Sequence, residues 1–159
     1  VSGSQAVRRA GPGDDAALAA LRRTWVEEIR HQPVDDPTFP ERFAAWLEAE
    51  RHQRLTWVVE HAGEVVGMLN VLVFTRMPKP GAPTSRWGYL ANFYVLSDHR
   101  NGGLGALMLT QALAECDAEG FVRVVLSPSS RSRSLYTRAG FGPADGLLVR
   151  PGGKTEELA

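Results

Sequence analysis

A single cysteine, Cys116, stands in a chain of 159 residues, which excludes an intramolecular disulfide and fits a reducing compartment. One cysteine together with His31, His52, His61 and His99, which lack ligand spacing, does not make a metal site, and none is expected. Long apolar runs are missing as well. Nothing approaches the ~20 residues needed to cross a bilayer, and residues 1–10 are too polar for a secretion signal. The chain has no excess charge of either sign: 18 basic and 18 acidic residues leave a formal net charge of zero. No global electrostatic case therefore exists for nucleic-acid or membrane partners. The expectation is a cytoplasmic protein. Its 43% hydrophobic and 23% charged residues are those of an ordinary globular protein. Its length suits one domain over residues 1–159 with a sizeable core.

Periodicity then orders the elements. Gln5 to Arg9 reads as a short strand, broken by Gly11-Pro12-Gly13, and Asp14 or Asp15 caps a helix through about Ile29. Leu18, Leu21, Trp25 and Ile29 fall on one face of that helix. A second helix starts near Pro40 and runs to about Arg51, with Phe43, Trp46 and Leu47 on one face. Thr56 to Glu60, Val65 to Thr75 and Trp87 to Leu96 read as strands. Leu104 to Glu119 reads as a helix closed by Gly120. A β-branched run, Val122 to Leu126, precedes a short helical segment. Leu147-Leu148-Val149 is expected to form a last strand, and Pro151 to Ala159 a loose tail. The order β-α-α-β-β-β-α-β-α-β predicts an α+β fold: one central mixed, mostly antiparallel sheet flanked by helices.

The most informative stretch joins the third of those strands to the helix after it. Leu90 to Leu96 gives way to a polar turn and then to Arg100-Asn101-Gly102-Gly103-Leu104-Gly105, which opens directly into the helix. The first turn of a helix leaves backbone N–H groups without partners and carries about half a positive charge from the macrodipole. Glycines there remove the Cβ atoms that would keep a bulky anion away, so the loop has the makings of a phosphate cradle. Arg100 is expected to add positive charge at its mouth. A Walker loop needs Lys-Ser/Thr after its last glycine, where Ala106-Leu107 stands. A dinucleotide fingerprint needs glycine at Met108. Both fail. Downstream lies a second motif, in which Ser129 and Ser132 precede Leu135-Tyr136-Thr137-Arg138-Ala139-Gly140-Phe141.

Arg-x-x-Gly-x-Gly at residues 100–105, followed by Leu135-Tyr136 and Gly140-Phe141, resembles the GNAT superfamily of N-acetyltransferases. The resemblance covers roughly residues 55–142. Ser129 stands where the family usually has Asn, and Ser132 where it usually has Ala. The α+β order above matches the family's fold. The resemblance implies acetyl-CoA as co-substrate, held by Phe93, Tyr94, Val95, Arg100, Asn101, Gly102, Gly103, Leu104, Gly105, Ser129, Ser132 and Tyr136. It implies that the strand before the loop splays from the strand after the loop helix, so that the pantetheine arm pairs with exposed backbone at Asn92 to Val95 and Leu126 to Ser129. The backbone N–H of Val95 then becomes an oxyanion donor. Tyr136 becomes the general acid that protonates the departing thiolate, since a phenol holds its proton at neutral pH.

Many family members carry a glutamate base where this chain has Asn92. An amide cannot take a proton, so Asn92 is left to order a water or hold the acceptor amine. A water chain to Glu27, Glu28, Asp35 or Asp36 would supply the base, with His31 or His99 as alternatives, since histidine titrates near neutral pH. Arg131 and Arg133 are within reach of a cofactor 3′-phosphate on this reading, though a solvated face explains them more simply. No cysteine lies near the motifs, which disfavours an acetyl-enzyme. A non-catalytic acyl-CoA-binding module is the rival reading, and a protein or peptide amine the rival acceptor. Between Glu27 and Glu50 acids outnumber arginines, with aromatic residues among them. A small cationic amine bound near Glu28, Asp35, Asp36 and Trp87 is therefore the expected acceptor. Homodimer formation is plausible for the family.

Overall fold

The computed structural model describes residues 3–153. Strand β1, Gln5–Arg9, ends at a short 3-10 turn, Pro12–Asp14, that leads into helix α1, Asp15–Arg30. Asp14 fixes this corner. Its buried carboxylate accepts two bonds of 2.8 Å from the Arg8 guanidinium and one of 2.7 Å from the Gly11 N–H. Those bonds, Arg8's first, hold its carboxyl below the usual carboxylate range. Helix α2, Phe39–Glu50, carries Pro40 in its first turn, where the missing N–H has no intrahelical partner to lose.

Strands β2 (Arg54–His61), β3 (Glu64–Thr75), β4 (Arg86–Val95) and β5 (Phe121–Val125) complete a sheet of order β1-β2-β3-β4-β5. Every neighbouring pair is antiparallel except β4–β5, which is parallel. Helix α3, Leu104–Ala118, is the crossover that a parallel pair requires. The mixed, mostly antiparallel sheet flanked by helices is thus the architecture present.

Val58 and Met68 are register partners, and they cluster with Leu18 and Leu21 of α1, Leu47 of α2 and Tyr94. Period-two alternation turns Trp57, Val59 and Leu69 to the opposite face, and all three are fully buried. Helix α3 touches all five strands and buries Met108, Leu109 and Cys116. Burial lifts the Cys116 thiol to about 11, which suits an unreactive core residue.

The chain divides between Ser127 and Pro128 into two compact units. The second holds helix α4, Arg133–Arg138, which runs into Gly140 at φ 93. The expected last strand is not there: Leu147-Leu148-Val149 takes no strand conformation, and Leu148 is fully exposed. A triplet following the Asp145–Gly146 turn is too short to hold extended structure without a hydrogen-bonded neighbour. Of the expected tail, Lys154 to Ala159 lie outside the described residues.

Candidate active site

The site begins with an irregularity in β4. Its ladder with β3 pairs Gly67 with Val95 and Met68 with Tyr94, then resumes at Asn70 with Ala91. In that interval β4 carries one residue more than β3, a bulge at Asn92 and Phe93. Asn92 sits at φ 53, a left-handed conformation that Asn tolerates better than most side chains. On its other side β4 pairs with β5 only from Arg86–Phe121 to Tyr89–Val125. The Tyr89 hydroxyl donates to Ser127 Oγ at 3.1 Å just past the last pair. From Leu90 to Val95 that edge of β4 has no strand paired to it among the described residues. The Leu96 N–H donates to the Val66 carbonyl at 2.9 Å, so alternation turns the Val95 N–H away from β3 and toward the open side.

Beyond β4 the chain makes a 3-10 turn, Ser97–His99, and enters the loop that opens α3. Asn101 and Gly103 both take left-handed φ, 62 and 85. Gly103 is the N-cap, and no side chain caps the helix. The Leu107 N–H makes its bond to the Gly103 carbonyl at 2.9 Å, so the N–H groups of Leu104, Gly105 and Ala106 precede the helical ladder. A Cβ built on Gly102 or Gly103 would meet nothing within 4 Å, whereas one on Gly105 would lie 3.4 Å from the Phe93 ring. An uncapped helix end facing open space, beside an unpaired strand edge, is the shape a pyrophosphate and its pantetheine arm would fill.

In the second unit, the hydroxyls of Ser129 and Ser132 lie 2.8 Å apart and tie the turn that starts α4. Tyr136 is buried, its ring edge-on to Phe141 at 5.7 Å. Burial pushes its phenol up to about 12.

A cavity of about 380 Å³ opens against the face of the sheet that carries α1 and α2. Leu18 and Arg22 of α1, Phe39, Phe43 and Trp46 of α2, and Asn92 of the bulge are among the residues around it. Its buried polar floor is satisfied: Asn70 accepts from Arg54 at 2.9 Å and donates to Thr56 at 2.7 Å.

The model of the Acetyltransferase (GNAT) family matches residues 17–141. This chain belongs to that family. As a GNAT acetyltransferase it is an acyltransferase, and solved structures share its fold. A predicted acetyltransferase with acetyl-CoA from Clostridium acetobutylicum aligns over 93% of this chain and 96% of its own, at 18% identity and a TM-score of 0.73. A GCN5-related N-acetyltransferase from Ralstonia eutropha aligns over 95% and 100%, at 24% identity and 0.71. Glucosamine-6-phosphate N-acetyltransferase from Arabidopsis thaliana aligns over 93% and 98%, at 17% identity and 0.67. No curated protein sequence matches the chain.

Of the residues singled out in the sequence, Asn92 to Val95 lie on the unpaired edge of β4, and Asn101 to Gly105 form the loop and first turn that open α3. Three side chains do other work. Arg100 brings no free charge to the loop mouth: its guanidinium forks onto Glu28 at 2.7 and 2.8 Å, and its Nε donates to the Val95 carbonyl at 2.8 Å. A bidentate carboxylate outcompetes an exposed position for a planar guanidinium. The Tyr94 ring stacks on Trp25 at 5.4 Å, and its hydroxyl donates to Glu28 at 2.8 Å. Trp87 stacks on Phe74 at 4.3 Å. Asp36 is ion-paired with Arg42, and Asp35 is exposed. None of Glu28, Asp35, Asp36 and Trp87 lines the cavity. Of the alternative bases, His99 lies against His61 at 5.2 Å, His31 is exposed, and Glu27 accepts from the Val34 N–H at 3.0 Å. Arg22, a cavity-lining residue that sequence reasoning did not single out, follows Leu18 by one helical turn, a charge beside the apolar stripe of α1.

Proposed function

We propose that this chain transfers the acetyl group of acetyl-CoA to a primary amine of a small molecule, by direct attack in a ternary complex, with residues 1–159 acting as one domain. The observation that carries the reading is the bare N-terminus of α3 beside the unpaired edge of β4. The family match spans the break at Ser127, which supports a single functional domain. Acetyl-CoA would supply the activated thioester. Leu104 to Ala106 would hold its pyrophosphate through backbone N–H groups. The Val95 N–H would polarise the thioester carbonyl, where negative charge develops during attack. Asn92, between that N–H and the cavity, would orient the amine or a water that accepts its proton. Tyr136 keeps its own proton far into the alkaline range and would give it to the departing sulfur. The only cysteine is buried in the core, which supports transfer without an acetyl-enzyme.

Tyr136→Phe tests the acid. It should lower kcat roughly 10²-fold while leaving acetyl-CoA affinity within about twofold, by steady-state kinetics and calorimetry. A variant with near-normal kcat, under conditions where chemistry limits the rate, would reduce Tyr136 to a packing residue.

A further inference from the structure

The open edge of β4 that would admit the pantetheine arm sets a problem for the reaction proposed above. A strand end with no neighbour on one side has few bonds to hold it and opens readily. An oxyanion donor contributes most when it is fixed before charge develops, so that nothing has to reorganise during attack. A group outside the sheet must therefore steady the Val95 N–H.

Helix α1 supplies that group. Glu28 lies in its last turn, and its carboxylate accepts from both Arg100 Nη atoms, at 2.7 and 2.8 Å, and from the Tyr94 hydroxyl at 2.8 Å. Arg100 spends its remaining donor, Nε–H, on the Val95 carbonyl at 2.8 Å. One carboxylate thus holds the side chain that precedes the Val95 N–H and, through one guanidinium, the carbonyl that follows it. Both flanks are tied a second time. The Tyr94 ring stacks on Trp25, also of α1, at 5.4 Å, and the Leu96 N–H donates to the Val66 carbonyl at 2.9 Å. The Arg100 guanidinium closes the arrangement by lying 5.2 Å over the Tyr94 ring. Burial, joined by the Glu28 contact, pushes the Tyr94 phenol up to about 12, so it stays a donor at neutral pH. A forked guanidinium fixes direction as well as distance, which a point charge does not.

We propose that Glu28 is a positioning residue for acetyl transfer: through Arg100 and Tyr94 it holds the Val95 N–H where the thioester carbonyl must meet it. The role rests on the acetyltransferase reading and adds to it a residue that acts through others.

Two substitutions test it. Glu28→Gln keeps the shape but loses the charge that the fork needs. Arg100→Lys keeps the charge, but one ammonium cannot fork onto Glu28 and reach the Val95 carbonyl in the same geometry. With the fastest amine among spermidine, glucosamine, phenethylamine and 6-aminohexanoate, both should lower kcat roughly tenfold or more, while calorimetric affinity for acetyl-CoA stays within about threefold. Rates are referred to the acetyl-CoA sites counted in the same calorimetry. By NMR, the Leu96 amide should exchange about tenfold faster in both, while Met108 and Leu109 in the middle of α3 keep their rates, since the opening is local. Arg8→Gln, which breaks the Asp14 and Glu60 contacts outside this network, is the control for lost stability and should leave kcat within about twofold. A smaller loss of kcat, an acetyl-CoA affinity that falls as far as kcat, or an equal loss in Arg8→Gln overturns the assignment. So does an unchanged Leu96 rate, or acceleration shared equally by Met108 and Leu109. Should Glu28→Gln fail to fold by circular dichroism, Arg100→Lys decides. No thiol release by the unaltered protein with any of these amines overturns the acetyltransferase reading itself, and the positioning role falls with it.

Discussion

Asn92 combines two demands that different substitutions separate. Its backbone is held at φ 53 by the β4 bulge, and it lines the cavity against α1 and α2 where the proposed function puts the amine. Glycine meets the first demand and fails the second; alanine fails both, at a strain of about 1 kcal/mol. Asn92→Gly and Asn92→Ala should therefore both lower kcat/KM for the amine, while only Asn92→Ala loses about 1 kcal/mol in urea unfolding. Equal stability would remove strain from the description of the bulge, and unchanged kcat/KM would remove Asn92 from the acceptor site. At this scale the sequence was informative wherever backbone carries the role. The left-handed N-cap at Gly103 was legible in a motif because φ is a local property that does not depend on a distant side chain. The role of Arg100 was not, because Glu28, the partner that takes its guanidinium, lies in a helix far away in the chain.

The loop and α3 act as a unit, since the helix supplies the N–H groups and the loop keeps the space before them clear. Gly103 holds the left-handed N-cap at φ 85, and a Cβ there would project into open space. A β-branched residue at that position is a steric outlier and would stand where the pyrophosphate must approach. Gly103→Val should weaken acetyl-CoA binding at least tenfold, about 1.4 kcal/mol, by calorimetry on a variant shown to be folded. Unchanged affinity would place the cofactor elsewhere. Helices α1 and α2 were readable from an apolar face, and α3 from the glycines that flank it. The β4 bulge was not, because a register shift is a property of two strands and only one is visible at a time. Leu147 to Val149 misled for the converse reason: an apolar triplet looks like a strand but acquires that structure only from a partner.

For the whole molecule, zero net charge conceals a set of specific pairings rather than an absence of electrostatics. Acids between Glu27 and Glu50 look like an anionic wall in sequence, yet Arg42, Arg54 and Arg100 neutralise Asp36, Glu50 and Glu28. The cavity they were expected to line carries arginines in their place. Local charge counted along the chain failed because ion pairs form across elements. The fold itself was legible, since element order and the two glycine-bearing motifs are local features. Everything proposed for the site rests on catalysis rather than mere binding of an acyl-CoA. The direct measurement follows thiol release from acetyl-CoA across a panel of amines, with the acetylated product identified by mass spectrometry in the same samples. Thiol released only when an amine is present, in equal amount to the acetylated amine, is the predicted result. Acetyl-CoA that binds but is consumed with no amine in the panel, or at a rate the amines do not change, would contradict it and leave a non-catalytic acyl-CoA-binding module.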